Sequence, residues 1–219
     1  MLFLVERVSG EHGREYSLYE NAGEYIIRVN GYELMSSRCH GSEEKLASAA
    51  VENMKVSTSP KILVGGLGMG FTLGKLLNIL PPSACVKVAE LEPAVIRWNR
   101  KFFGELNGDA LSDPRVDLWE GDVITLIGGD NLYDAIILDI DNGPSPLSAE
   151  DNIRIYSDEG IDCIYRSLSP GGIFALWSAF MDGKFVERLE KSGFSVTVQH
   201  VYSDGNTSSG EYLIFLCSK

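Results

Sequence analysis

The spacing of hydrophobic and polar residues changes at about residue 60. Before it, as far as about residue 36, apolar and polar residues alternate in short runs separated by Asn21-Ala22-Gly23 and Asn30-Gly31. Alternation with a period of two is typical of half-buried strands, and Asn-Gly is a strong hairpin signal. The pattern predicts a small antiparallel β unit of three or four strands, which we assign to residues 1–40.

A helical spacing of apolar residues follows this unit. Ser42 stands where an N-cap is expected, and Glu43 and Glu44 suit the positive end of a helix in its first turn. The run Ser57-Thr58-Ser59-Pro60 interrupts the spacing. We therefore predict a linking helix within residues 41–59.

Beyond residue 60, short apolar strands alternate with helices five times. Two final strands, near 194–202 and 212–217, have no helix between them and should pair as an antiparallel hairpin. This order predicts an α/β fold over residues 60–219, a doubly wound and Rossmann-like sheet that is mostly parallel with one antiparallel strand.

Residues that can bind a nucleotide follow the first two strands of this predicted sheet. In such folds, ligands bind beyond the carboxyl ends of the strands, where the strand order reverses. Gly66, Gly68 and Gly70 form a Gly-x-Gly-x-Gly turn that allows close approach of backbone to ligand. Glu90 ends the second strand about twenty residues later, where a carboxylate can accept hydrogen bonds from ribose hydroxyls.

Acids also follow the third and fourth strands. Gly121-Asp122 comes after the third, and Asp122 suits either an adenine amine or the N-cap of the next helix. Asp139 and Asp141 come after the fourth, which is the most apolar strand. Crowded carboxylates raise the pKa of at least one of them, and such a group can hold a cationic amine or take its proton. We therefore predict that Asp139 and Asp141 are catalytic.

The net charge of the chain limits the kinds of partner that it can bind. The 219 residues carry 19 Lys+Arg and 31 Asp+Glu, a formal net charge of −12. This excess argues against nucleic acid or an anionic membrane as a partner and is compatible with a cationic small molecule. Eleven acids lie between Glu120 and Asp162 against one basic residue, Arg154. We therefore expect the acid excess to surround the mouth of the site.

The four cysteines and the apolar runs indicate the compartment. No two cysteines have the spacing of a zinc or redox pair, so we expect no metal. No apolar run approaches the ~18 residues of a membrane span. The expected location is the cytoplasm. The N-terminal strands could pair with a second copy, so a homodimer is possible.

Taken in order, four stretches resemble the spermidine/spermine synthase family. They are Gly-Gly-Leu-Gly-Met-Gly at 65–70, Val-Ala-Glu-Leu-Glu-Pro at 88–93, Glu-Gly-Asp-Val at 120–123 and Asp-Ala-Ile-Ile-Leu-Asp-Ile-Asp-Asn-Gly-Pro at 134–144. That family has the class I S-adenosylmethionine-dependent methyltransferase fold, with a small β unit ahead of it. The resemblance covers about residues 60–180.

The resemblance implies a transferase that uses S-adenosylmethionine or its decarboxylated form. On this reading, the three glycines face the methionine and ribose part, and Gly121 lies beside the adenine. Glu90 binds the ribose, and Asp122 binds the adenine amine. Asp139 matches the acid that helps to deprotonate and place the attacking amine in the aminopropyltransferases.

Three features of the sequence depart from the family pattern. Gly68 stands where the family usually has Asp. The second acid of an Asp-x-x-Asp pattern falls on Asn142, with Asp141 one place early. Cys39 and His40 stand where aminopropyltransferases have acids that contact the substrates. The fold and the donor class are therefore better supported than the reaction.

Three other functions stay open at this point. The first is methyl transfer from the intact cofactor to an unknown substrate. The second is a nucleotide-binding relative without aminopropyltransferase activity. A nicotinamide dehydrogenase is weaker, because its glycine spacing is Gly-x-Gly-x-x-Gly and the third glycine here comes one residue early.

Overall fold

The N-terminal residues form an antiparallel sheet. The computed structural model describes residues 1–10, 13–128, 132–140, 143–144, 154–203 and 210–219. Within them, this sheet has four strands in sequential order: β1 (Phe3–Ser9), β2 (Glu15–Asn21), β3 (Glu24–Val29) and β4 (Tyr32–Ser36). The β3–β4 hairpin turns at Asn30 and Gly31, with φ of 51° and 82°. This is the two-residue turn that Asn-Gly predicts.

A larger, mostly parallel sheet follows. Over the described ranges it has seven strands: β5 (Lys61–Gly65), β6 (Cys85–Glu90), β7 (Val116–Glu120), β8 (Tyr133–Leu138), β9 (Leu168–Ser178), β10 (Ser195–Tyr202) and β11 (Glu211–Ser218). In space they run β10-β11-β9-β8-β5-β6-β7. Strands β5 to β9 are parallel, and β11 is antiparallel to both of its neighbours. The predicted sheet and its closing hairpin are confirmed.

Helices cover both faces of this sheet. They are α1 (Gly41–Asn53), α2 (Phe71–Ile79), α3 (Pro93–Trp98), α4 (Gly104–Asn107), α5 (Asp158–Ser167) and α6 (Gly183–Lys191). A π-helical segment, Asn99–Phe103, joins α3 to α4, and 3₁₀ turns occupy Ala110–Ser112 and Val123–Leu126. Leu46 of α1 and Leu73 of α2 belong to one core, and Ile161 of α5 and Phe185 of α6 belong to the other.

The strand pattern explains these two cores. Ile62 and Val64 of β5 join the core beneath α1 and α2, while Leu63 joins the core beneath α5 and α6. Successive strand residues point to opposite faces, so a strand that is apolar throughout is buried on both sides. Strand β5 lies between β6 and β8, where the chain order reverses. That reversal is where a ligand site is expected.

The small sheet is held against α3 and the π-helical segment by polar and aromatic contacts. Trp98 of α3 is fully buried, and its Nε1 donates a 2.7 Å hydrogen bond to Oε2 of Glu6 in β1. The other oxygen of Glu6 accepts from Arg97 at 2.7 Å. Tyr25 of β3 meets Phe103 edge to face at 5.3 Å. These contacts hold the N-terminal sheet beside the carboxyl ends of β5 and β6.

The start of α1 differs from the prediction. The helix begins at Gly41, and Ser42 lies buried inside its first turn, so the prediction of Ser42 as N-cap is wrong. The amide of Gly41 donates to the carbonyl of Ser203 at 2.7 Å, so a tertiary contact anchors the helix start. Helix α1 packs against α2 and β9, on a face of the large sheet. The proposed boundaries 1–40, 41–59 and 60–219 stay a prediction.

The described helices include none that is long and apolar enough to cross a membrane.

Candidate active site

A cavity opens at the carboxyl ends of β5, β6 and β8. The N-terminal sheet contributes Tyr16, Ile27 and Met35 to its lining. Its acidic lining residues come from four separate places in the chain: Glu43, Glu90 with Glu92, Asp122 and Asp139. Its position at the reversal of strand order agrees with the expected location of a ligand site.

The glycine turn forms part of the cavity wall. Gly66 and Gly68 line it, with φ of +90° and +52°. A Cβ at Gly66 would stand 2.2 Å from the carbonyl oxygen of Asp139, so the turn packs directly on the tip of β8. Gly70, with φ of +82°, is the N-cap of α2 and lies outside the cavity lining, and a Cβ there would meet the side chain of Asn107 at 2.5 Å. The structure therefore brings two of the three predicted glycines to the cavity.

Glu90 is held at the end of β6 by backbone amides. Its Oε2 accepts from the amide of Leu67 at 2.9 Å, and its Oε1 accepts from the amide of Glu92 at 2.8 Å. Burial raises the pKa of Glu90, these amides lower it, and the nearby Glu92 raises it. Glu92 itself caps α3 by accepting from the amide of Ala94 at 3.1 Å. The sequence reading placed Glu90 correctly at the strand end and treated Glu92 as a helix-start acid, but Glu92 also faces the cavity.

Asp122 has the N-cap role that the sequence allowed, and its binding of an adenine amine stays a prediction. It is the N-cap of the 3₁₀ turn, since its Oδ1 accepts from the amide of Ile124 at 2.9 Å. It also lines the cavity, together with Gly121. The capping bond uses one carboxylate oxygen, so the other remains available to a ligand.

Asp139 lies half-buried at the tip of β8. Its amide donates to the carbonyl of Gly65 at 2.9 Å, and its Oδ2 accepts from the Thr72 hydroxyl at 2.8 Å. Burial raises the pKa of Asp139 from 3.8 to about 7; the charge of Glu43 adds to the rise, and the Thr72 bond opposes it. Its predicted catalytic partner, Asp141, lies outside the described residues, as does Asn142.

Glu43 is the site acid that the sequence reading missed. It was assigned only to the first turn of a helix, yet its side chain lines the same cavity as Asp139. Burial raises its pKa, and the Ser42 hydroxyl bound to its Oε2 at 2.5 Å lowers it. Cys39 and His40 do not line the cavity: Cys39 is exposed, and His40 stacks on Phe71 at 4.1 Å. Glu43 thus brings an acid to the cavity, close in sequence to Cys39 and His40, which stand where aminopropyltransferases have acids.

The structure tests the expected concentration of acids between Glu120 and Asp162 only in part, because Asp130, Asp141, Glu150 and Asp151 lie outside the described residues. Within the described part of that segment, only Asp122 and Asp139 line the cavity. Asp134, for example, accepts from the amide of Lys61 at the opposite end of the sheet. The remaining cavity acids come from α1, the end of β6 and the start of α3. Nearness in sequence does not reveal which edge of a sheet an acid occupies.

Tyr16 and Arg14 line the cavity from β2 and from the residues just before it. Tyr16 lies in β2, and burial raises the pKa of its phenol, to which the charges of Glu92 and Glu90 add. The Arg14 side chain bonds to Tyr16 and lowers that pKa. The sequence predicts no site residue in the strands of this sheet, because strand alternation carries no signal for which residue meets another sheet.

Comparison with known families agrees with the motif order. The family model described as "Spermine/spermidine synthase domain" matches residues 43–202. The chain belongs to the spermine/spermidine synthase family. The resemblance noted in the sequence is confirmed, and the match begins at Glu43.

The alignments with individual relatives include only part of each relative's length. Polyamine aminopropyltransferase of Mycobacterium tuberculosis is 27% identical over 176 residues, which is 75% of this chain and 32% of that protein. The Nitrosomonas europaea protein of the same name is 33% identical over 116 residues, 52% of this chain and 34% of that protein. This member of the spermine/spermidine synthase family therefore spans about a third of the length of these curated relatives.

Solved structures share the whole fold. Spermidine synthase from Thermotoga maritima superposes with a TM-score of 0.79 at 19% identity, covering 99% of this chain and 72% of that one. A spermidine synthase in complex with the transition-state analogue AdoDATO gives 0.78 at 19% identity, with the same coverage of both chains. The predicted fold, a methyltransferase-like sheet behind a small antiparallel unit, is confirmed. Among the residues that the structure describes, no group of three or more His, Cys, Asp or Glu is placed to hold a metal ion.

Proposed function

We propose that this chain is an aminopropyltransferase that moves an aminopropyl group from decarboxylated S-adenosylmethionine to an amine. The observation that carries the proposal is Asp139, a half-buried carboxyl with a pKa of about 7 at the reversal of strand order. It shares one cavity with Glu90 and Asp122, which suit an adenosine group. The relatives named above are polyamine aminopropyltransferases, which supports the same reaction.

The cavity fits the adenosine part of such a donor. Gly66 and Gly68 present backbone without side chains to the cavity. The Glu90 carboxylate, fixed by two amides, has further lone pairs for ribose hydroxyls. The free oxygen of Asp122 can accept from the adenine amine.

Asp139 performs the proton step. When bound, the donor supplies a methylene carbon beside a sulfonium sulfur; an amine nitrogen bonds to that carbon, and the sulfur keeps the electron pair of the broken bond. Asp139 accepts the proton that the nitrogen gives up, which a carboxylate with a pKa of about 7 does near neutral pH. Thr72 holds the carboxylate in one orientation by donating to Oδ2. Asp139 therefore both places and deprotonates the amine.

The test is direct turnover. Purified chain with decarboxylated S-adenosylmethionine and putrescine should give spermidine and methylthioadenosine in equal amounts, measured by mass spectrometry. Asp139→Asn should lower kcat/KM by roughly a hundredfold or more, since general acid–base catalysis typically contributes that much. Asp134→Asn is the matched control, because Asp134 lies at the other end of β8, where it accepts from the Lys61 amide.

Two results would overturn the proposal. One is the absence of any aminopropylated product across a series of diamines by a protein that binds methylthioadenosine in calorimetry. The other is methylation of an amine with intact S-adenosylmethionine as the preferred reaction. Methyl transfer is otherwise not favoured, given the names of the matching relatives.

The proposal includes a homodimer formed through β1. This strand is at the edge of the N-terminal sheet, and its side chains are unusually apolar for an edge: Phe3 is 55% exposed and Leu4 is 49% exposed. Apolar edge strands promote pairing between chains. Light scattering should give the mass of two chains, and Leu4→Lys should give that of one. A monomeric parent protein would contradict this part.

A cytoplasmic location is also part of the proposal. Cys39, Cys85, Cys163 and Cys217 are all free thiols, as is usual for proteins of reducing compartments.

A further inference from the structure

Two carboxylates face the cavity without a basic partner. The Glu43 side chain accepts from the Ser42 hydroxyl and from its own backbone amide, and the side chain of Asp139 accepts only from the Thr72 hydroxyl, within the described ranges. No ion pair involves either residue among the described side chains. Carboxylates removed from water are costly unless a cation or several donors compensate them. Both groups therefore favour a cationic ligand in the space they share.

The two acids come from different elements. Asp139 follows β8 and adjoins the glycine turn, through its 2.9 Å bond to the carbonyl of Gly65. Glu43 comes from the first turn of α1. Burial raises the pKa of the Tyr212 phenol in β11, and the charge of Glu43 adds to this rise. Strand β11 is two strands beyond β8, on the side away from Glu90. Asp139 is thus the acid nearer to the nucleoside end of the cavity, and Glu43 is the more distant one.

Apolar side chains complete this part of the cavity. Met35, Ile140 and Trp177 line it together with the two acids. Trp177 packs against Tyr212 with ring centroids 4.8 Å apart. An apolar wall suits a methylene chain, and two carboxylates suit the ammonium groups at its ends. A ligand with a single nitrogen would leave one of the carboxylates uncompensated.

We propose that Glu43 determines acceptor specificity by binding the distant, protonated nitrogen of an aliphatic diamine while Asp139 holds the attacking nitrogen. This inference rests on the proposed function and adds to it a residue that selects diamines over monoamines. It also explains how the chain binds an amine although Cys39 and His40 lie outside the cavity. The anionic group for the second nitrogen is supplied by α1.

The chain provides a matched control in the next residue. Glu44 is in the same helical turn, but its Oε1 contacts Nδ1 of His40 at 2.9 Å and it is not among the cavity-lining residues. Glu43→Gln and Glu44→Gln therefore remove the same charge from the same turn. Only the first of them removes it from the cavity. The glutamine side chain keeps an acceptor for Ser42, so the helix start is preserved.

The experiment compares putrescine with butylamine as acceptor, at saturating decarboxylated S-adenosylmethionine. Glu43→Gln should raise the KM for putrescine by roughly ten- to a hundredfold, the range of a charged hydrogen bond, with kcat changed by less than about threefold. The KM for butylamine should change little. Glu44→Gln should leave both values unchanged. An unchanged putrescine KM in Glu43→Gln, or equal losses for both amines, overturns the inference.

A binding measurement separates this inference from the proposed function. Putrescine is titrated calorimetrically into parent protein and Glu43→Gln, each saturated with methylthioadenosine. Weaker binding by Glu43→Gln supports the role of Glu43 even if the parent protein makes no spermidine, which would overturn the reaction alone. Equal affinities overturn the role of Glu43 even if turnover is normal.

Discussion

Thr72 Oγ1 donates a 2.8 Å hydrogen bond to Asp139 Oδ2 and so joins the first turn of α2 to the tip of β8. The two residues are 67 positions apart in sequence. The bond favours the ionised carboxylate, whereas burial and the charge of Glu43 favour the protonated one. The opposition leaves Asp139 with a pKa of about 7, at which a carboxyl can exchange protons near neutrality.

The first prediction concerns the pH dependence of the reaction. Asp139 must be ionised to accept a proton, so kcat/KM should rise with pH through a midpoint near 7. Thr72→Val removes a donor that lowers the pKa of Asp139, so the midpoint should move upward. Both proteins are assayed with the same amine, which cancels the titration of the substrate itself. An identical midpoint in the two would show that the rise does not report Asp139.

The second prediction links the same group to stability. The pKa of Asp139 is raised in the folded state, from 3.8 to about 7, so the folded protein holds an extra proton between these values. Folding stability is then lost as pH rises through this window. Asp139→Asn cannot ionise and should therefore be more stable than the parent protein at pH 8.

Urea denaturation at pH 5 and pH 8 checks this result. The stability difference between Asp139→Asn and the parent protein should be clearly smaller at the lower pH. A difference that is the same at both pH values would mean that the substitution acts through packing and not through ionisation.

The third prediction concerns Glu90. Both of its oxygens accept from backbone amides, so Gln would place an NH₂ group against one of the two N–H donors. Glu90→Gln should weaken methylthioadenosine binding by roughly tenfold or more, measured by calorimetry. Glu120→Gln is the control, because Glu120 is the exposed register partner of Glu90 on β7. Equal affinities in the two variants would contradict the assignment of Glu90 to the nucleoside.

The fourth prediction separates backbone strain from steric clash at Gly66. Gly66 and Gly23 have similar φ, +90° and +85°, so Ala imposes comparable backbone strain on both. A Cβ at Gly66 would stand 2.2 Å from the carbonyl oxygen of Asp139, whereas at Gly23 it would meet nothing within 4 Å. Gly23→Ala should cost about 1 kcal/mol, and Gly66→Ala clearly more.

Activity gives a second measurement for this pair. Gly66→Ala should lose donor binding and turnover, because the clash displaces the carboxyl end of β8. Gly23→Ala should keep both close to the parent values. Normal turnover in Gly66→Ala would show that the close approach of these two segments is not needed by the site.

The fifth prediction tests how the N-terminal sheet is held. Glu6→Ala leaves the buried Trp98 N–H without its acceptor, which should cost roughly 1–3 kcal/mol of unfolding free energy. Arg7→Ala is the control, since its 3.5 Å ion pair with Glu15 is exposed and worth about 0–1 kcal/mol. Thermal unfolding measures both. Equal effects would mean that the Glu6–Trp98 bond is not what anchors β1.

The sequence alone was sufficient to predict which acids at the strand ends reach the cavity. Every parallel strand ends at the same edge of the sheet, so residues that follow strands come together whatever the details of packing. Glu90, Asp122 and Asp139 reach the cavity for this reason. The Asn30-Gly31 turn was also predictable, because few other residues adopt its positive φ values.

The tertiary structure decided which other side chains meet these acids. Glu43 and Glu44 carry the same signal for a helix start, and only the packing of α1 against α2 and β9 turns one of them into the cavity. Asp134 shows the converse, an acid close in sequence to Asp139 that lies at the far end of β8. Local pattern specifies the element and its faces, whereas a helix's orientation about its axis is set by contacts distant in sequence.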